Sequence, residues 1–222
     1  MLQTRTKKQL QTLKQLMNNP SILLLGDSFA ADWSVKYNEY MGWPSLLAKN
    51  HNVTNLAQAG VSEFKIYKQV MSASLDNYDV IIVSHTSPYR VTTRRHPVHY
   101  LDTLHKHADL MYSDVEYHRR RVRNFFNYSL QAAYNFFLYH YDEEYFVTTY
   151  QLYREKINQL LTNKKVIVVS NLNAANDFAT EKNILNFCEL LSTEPGLINH
   201  YSESGNKIIF EQVTQEITRM TQ

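Results

Sequence analysis

Cysteine is nearly absent from this chain: among 222 residues there is one, Cys188. A lone thiol excludes an internal disulfide, so a reducing compartment is expected. No run approaches the ~18 consecutive apolar residues that a membrane span requires. The N-terminus is polar, rich in Lys and Gln, and does not read as a signal peptide, so the expected location is cytoplasmic. Charge of one sign is lacking too. Its 23 Lys and Arg stand against 21 Asp and Glu, a net of +2, which points to no nucleic-acid and no membrane partner. Internal repeats and low-complexity linkers are absent. The length suits a single α/β domain, 1–222, with an insertion better than two complete domains. What the chain does have is 16 tyrosines. Their flat apolar faces and polar tips suit stacking on sugars, wet interfaces, or the packing of a long helical insertion.

The apolar run Ile22-Leu23-Leu24-Leu25 stops at Gly26-Asp27-Ser28, as a strand buried on both faces of a parallel sheet would. Further strands are expected over 53–56, 79–84 and 165–170. Helices are expected over 4–18, 45–49, 62–74, 181–191 and 204–221. Phe64, Tyr67, Val70 and Met71 would share one face of the helix after Ser62. Between strands three and four, apolar stripes over 114–140 and 146–161 read as an antiparallel helical hairpin, an insertion spanning 111–163. Alternating strands and helices predict a three-layer α/β/α sandwich on a flavodoxin-like, mostly parallel sheet.

In such sheets ligands bind beyond the carboxyl ends of the strands, and four polar segments fall there. They are Gly26-Asp27-Ser28, Asn55 to Gly60, Ser84-His85-Thr86-Ser87-Pro88, and Asn199-His200-Tyr201-Ser202 near the C-terminus. Serine is a weak nucleophile without a base, and a histidine brought to Ser28 would supply one. Together these segments resemble the blocks of the SGNH/GDSL hydrolases, esterases and acetylhydrolases of the same sandwich fold. Gly26-Asp27-Ser28 matches the first block, Asn55 and Gly60 the second, and His200 with Ser202 and Gly205 the last. The resemblance implies Ser28 as nucleophile, His200 as base, and an oxyanion hole from the N–H groups of Ser28 and Gly60. Two positions depart from the family. Its third-block asparagine is replaced by Thr86-Ser87-Pro88, with Ser87 the nearest donor. The aspartate expected three residues before the histidine is Leu197, so His200 is oriented by a backbone carbonyl or another carboxylate, Glu194 being nearest.

Asp27, Asn55, His85 and Arg90 complete the expected substrate-facing set, with Asp27 also suited to bonding turn N–H groups. Six of the nine histidines lie between His85 and His118. His96, His99, Asp102, His105 and His107 could be drawn as a metal site, but their irregular spacing favours a solvated or substrate-facing loop, with no metal and no cofactor. Arg119-Arg120-Arg121 with Arg123 reads as a solvated helix face. The function expected is removal of a short acyl group, O-acetyl on a carbohydrate for example, from a small-molecule or glycan ester. The alternatives are acyl transfer to a sugar, or a non-catalytic carbohydrate-binding or interaction protein. The helical insertion would cap the site or mediate homo-oligomer contacts.

Overall fold

A computed structural model describes residues 19–31, 40–177, 183–196 and 200–222. The helix expected over 4–18, and Leu197 and Asn199, lie outside those residues. The sheet has five parallel strands: β1 (Ser21–Gly26), β2 (Asn52–Asn55), β3 (Val80–Ser84), β4 (Val166–Ser170) and β5 (Ile184–Asn186). Helices α1 (Trp43–Asn50), α2 (Glu63–Ser72), α3 (Tyr112–Arg119), α4 (Tyr128–Tyr139), α5 (Glu143–Leu160), α6 (Asn173–Asn176), α7 (Leu190–Thr193) and α8 (Glu203–Thr221) connect and follow them. The strand order is β2-β1-β3-β4-β5. The chain steps from β1 outward to β2, then crosses back past β1 to β3 and on to β4 and β5, and this reversal opens a crevice at the carboxyl ends of β1 and β3.

Packing explains why β1 reads as an unbroken apolar run. Ile22 and Leu24 enter one core layer with Trp43 and Leu47 of α1 and Ile209, Val213 and Ile217 of α8. Leu23 and Leu25 enter the opposite layer with Ile66 and Val70 of α2 and Ile157 of α5. All four β1 side chains are fully buried, each worth about 1.5–3 kcal/mol of transfer free energy. The chain is therefore an α/β sandwich with helices on both faces of a parallel sheet.

Three expectations change. Of the helix expected over 181–191, the described residues 183–191 are not one helix: Ile184 and Leu185 pair with Val168 and Val169 as the edge strand β5, and α7 follows as a single turn. A three-residue strand is too short to show a period. The buried residues of α2 are Glu63, Ile66, Gln69 and Val70, while Met71 is exposed, Tyr67 packs at the edge of the core, and the Phe64 and Tyr67 rings meet Tyr153 of α5 at a tilt. The stripe over 114–140 is broken into α3, a 3-10 turn (Val122–Asn124) and α4. Four arginines within 119–123 repel one another along a continuous helix, and Asn127 caps α4 by accepting the Leu130 N–H at 3.0 Å. In the same region α5 acts as the crossover helix that returns the chain to β4, with Ile157 and Leu161 in the sheet's core. Helices α3 and α4 share a separate apolar cluster with Val91 and Leu110, centred on Val115 and Leu130. Among the described residues no helix is long and apolar enough to cross a membrane.

Candidate active site

Gly26 ends β1 at φ +148°, and a Cβ there would lie 2.6 Å from the Ser84 carbonyl oxygen of β3. Only glycine allows β1 to leave the sheet so close to its neighbour. The buried Gln69 side chain of α2 clamps this residue, accepting from Gly26 N at 2.8 Å and donating to Gly26 O at 3.0 Å. The chain then folds over Asp27, whose carbonyl accepts from Ala30 and Ala31. Ser28 sits in that turn, 5 % exposed.

Asp27 is fully buried, and its Oδ1 accepts from Phe29 N at 3.0 Å and from Ser84 Oγ at 3.4 Å. Burial pushes its carboxyl up to about 6, against the pull of Arg90 and the Phe29 N–H, with Glu63 adding to the rise. Ser84 Oγ accepts from Asn171 Nδ2 at 3.0 Å, and Asn171 Oδ1 accepts from Tyr201 OH at 2.9 Å. A buried hydrogen-bonded line thus runs from the segment at His200, across the ends of β4 and β3, to the residue before Ser28. His200 itself packs its ring on Phe29, with centroids 4.8 Å apart. The segment that carries His200 thus lies against the turn that carries Ser28.

The remaining expected residues divide. Gly60, at φ +76°, lies against Ala108, and its carbonyl accepts from Arg90 Nη1 at 3.2 Å and from Asp109 N at 2.8 Å. Arg90 Nε donates to Thr86 Oγ1 at 3.0 Å. Ser87 is buried, and its Oγ accepts from Tyr89 N at 3.3 Å. Asn55 ties the end of β2 to the Ser28 turn, donating to Ala30 O at 2.9 Å and accepting from Ala57 N. His85 is buried, its Nδ1 2.6 Å from Glu63 Oε1. Facing a carboxylate, that nitrogen carries the proton. The Glu194 carboxylate accepts from Ser202 Oγ at 2.6 Å and from Ser204 Oγ, two bonds that hold it below the usual carboxylate range.

Beside these residues is a groove of about 270 Å³, partly open to solvent. Ser62, Glu63, Ser87 and Arg90 form its floor, and Phe64, Tyr145, Tyr150 and Tyr153 its aromatic wall. The wall comes largely from α5.

The histidine-rich connection is not a solvated loop. Its ends pair through Val91 and Leu110, and the buried Asp109 pins it down by accepting from Ser62 N, Thr93 N and Lys65 Nζ at 2.7–2.8 Å. His96 is fully buried, 3.2 Å from Asp114 Oδ2, and His99 and His118 approach the same carboxylate at 3.2 and 3.5 Å. His107 stands apart, its carbonyl bonded by Lys65 Nζ. Ligating atoms of His96, His99 and Asp114 all lie within 4.8 Å of one another. His96 Nδ1, however, accepts from the Val98 and His99 N–H groups at 3.2 Å, so its proton sits on Nε2, the atom that would have to ligate. As arranged, the cluster is an aspartate held by imidazoles.

Glu63, Gln69, Asp109 and Asn171 were missed from the sequence. Asn171 alone carried a signal, a polar residue directly after a buried strand, the same mark that singled out Asp27 and Ser28.

No known protein-family model matches the chain, and no curated protein matches it in sequence. One solved structure similar in shape is a protein from Desulfitobacterium hafniense DCB-2, provisionally described as lipolytic and of the G-D-S-L family. It is 12 % identical, with 89 % of this chain and 99 % of that one covered, at a TM-score of 0.49.

Proposed function

We propose that the chain is a serine hydrolase of short acyl esters, with Ser28 as nucleophile and His200 as general base. The observation that carries this reading is the packing of the His200 ring on Phe29, the residue after Ser28, at 4.8 Å. A serine in a tight turn at a strand's carboxyl end and a histidine delivered from the far end of the chain are what acyl transfer needs.

In this mechanism Ser28 Oγ attacks the ester carbonyl carbon while His200 takes its proton. The oxyanion is received by the N–H groups of Ser28 and Gly60, with the Ser87 hydroxyl as third donor, each contributing about 3 kcal/mol to the transition state. Collapse expels the alcohol, which takes the proton from His200. Water, deprotonated by His200, then attacks the acyl-enzyme, releasing the acid and restoring Ser28. Glu194, occupied by Ser202 and Ser204, is given no part, so the reading is a Ser-His pair. Arg90 and the aromatic wall face the substrate, a surface suited to a saccharide carrying an O-acetyl or similar group.

The test is acetate release from p-nitrophenyl acetate and from acetylated saccharides by wild type, Ser28→Ala and His200→Gln. Both variants should lose at least about 100-fold in kcat, the scale of losing a nucleophile or its base. Full activity in Ser28→Ala would end the proposal. If a sugar acceptor collects the acyl group in place of water, the same acyl-enzyme performs transfer.

A further inference from the structure

We propose that the turn between α3 and α4 docks onto an anionic lipid surface. Val122 is 91 % exposed, Phe125 and Phe126 79 %, and Tyr128 82 %. Four large apolar side chains within seven residues, nearly bare, are far outside the scattered exposure of an ordinary surface. Neither is the turn frayed. Asn124 Nδ2 donates to His118 O at 2.8 Å, Asn127 Nδ2 donates to Pro97 O at 3.1 Å, and the Phe125 and Phe126 rings meet edge to face at 5.1 Å. The tip is held in shape with its apolar groups pointing outward.

Around it stand Arg119, Arg120, Arg121 and Arg123, all exposed. Among the described residues Arg120 alone of the four pairs with a carboxylate, Glu116 at 2.6 Å. Arg119 and Arg121 lie over the rings of Tyr134 and Tyr117, at 4.0 and 4.2 Å, which keeps both guanidiniums beside the tip. The net charge of the whole chain, +2, conceals this local excess.

Apolar side chains ringed by arginines match a bilayer interface: the former enter the headgroup–acyl boundary and the latter meet anionic headgroups. A second copy fits worse, because a two-fold contact through this tip would set four arginines against four. Single-stranded nucleic acid fits worse as well, since the Phe125 and Phe126 rings meet edge to face at 5.1 Å and offer no pair of parallel platforms for successive bases, and Val122 between the arginines has no π-face. The proposal is independent of Ser28 and of the hydrolase reading.

Co-sedimentation of the full chain with vesicles tests it. Phosphatidylcholine alone is compared with phosphatidylcholine in which a quarter of the lipid is phosphatidylglycerol. The expected result is binding to the second and not the first, reversed by high salt. Phe125→Ser with Phe126→Ser should lower the partition coefficient at least about tenfold, and Val122→Ser, an independent change at the same tip, should lower it several-fold. Arg120→Ser and Arg123→Ser should each lower it about fivefold. These residues are exposed, so unchanged thermal melts should accompany the losses. Three results would overturn the proposal: no binding to either vesicle, binding indifferent to the phenylalanine and valine changes, or a wild-type dimer or oligonucleotide complex that those changes dissolve in the absence of vesicle binding.

Discussion

At Gly26 the absence of a side chain lets β1 turn out against Ser84, and Asp27 and Ser28 follow into the crevice. Gly26→Ala combines a disfavoured φ with a Cβ at 2.6 Å from a carbonyl oxygen. It should destabilise the fold by about 2–4 kcal/mol, read as a shift in urea midpoint. Asp27 has a different signature. Its carboxyl is raised from 3.8 to about 6, burial being the main cause. Between those values the folded chain keeps a proton that the unfolded chain releases, so the site's contribution to stability is largest below pH 4 and is lost as pH rises through 6. The span corresponds to about 3 kcal/mol at most. Asp27→Asn removes that dependence. Its denaturation midpoint should fall less than that of wild type between pH 4 and 7, and at pH 7 the variant should be the more stable. Parallel pH profiles for the two proteins would show that Asp27 is not buried as an acid.

Among the elements, Asn171 is where the end of β4 joins the segment carrying His200. Asn171→Ala leaves Tyr201 OH and Ser84 Oγ without a shared partner in a dry interior. It should cost about 1–3 kcal/mol and lower kcat more than it raises KM, because the base's segment loses its tie to the nucleophile's turn. On α5, Tyr153→Ala removes part of the groove's aromatic wall. It should raise KM several-fold while kcat holds, which steady-state kinetics on the best ester would separate. The elements that were legible in the sequence share one property. β1, β3 and β4 are covered on both faces, so their residues form continuous apolar runs ended by polar turns, and α8 shows a long uninterrupted stripe. β5 escaped notice because three residues carry no period, and its strand identity comes from pairing with the exposed edge of β4. The buried face of α2 includes Glu63 and Gln69, which are there for hydrogen bonding to His85 and Gly26, and no hydrophobic pattern reports that. Ser28, Gly60 and Arg90 stand out in the sequence because each lies in a segment that follows a strand's carboxyl end, and their roles belong to the proposal. Asp109 does not stand out, because its significance arises when a connection folds back on the start of α2.

In the molecule as a whole, the proposed chemistry and the proposed attachment are separated. Ser28 follows β1 with the His200 ring packed on the next residue, the groove opens beside Glu63, Ser87 and Arg90, and α3 and α4 form a cluster of their own that presents an apolar tip flanked by arginines. The α5 helix joins the two regions, with Phe146 packed on the α3–α4 cluster, Tyr150 and Tyr153 in the groove wall and Ile157 in the sheet's core. Everything assigned to the crevice depends on Ser28 being an activated nucleophile. Intact-mass labelling with a fluorophosphonate, on wild type, Ser28→Ala and His200→Gln, measures that property without knowledge of the substrate. The arrangement predicts one adduct on wild type, none on Ser28→Ala, and labelling slowed at least about 100-fold on His200→Gln. An unlabelled but folded wild type, or an adduct that persists in Ser28→Ala, would contradict it.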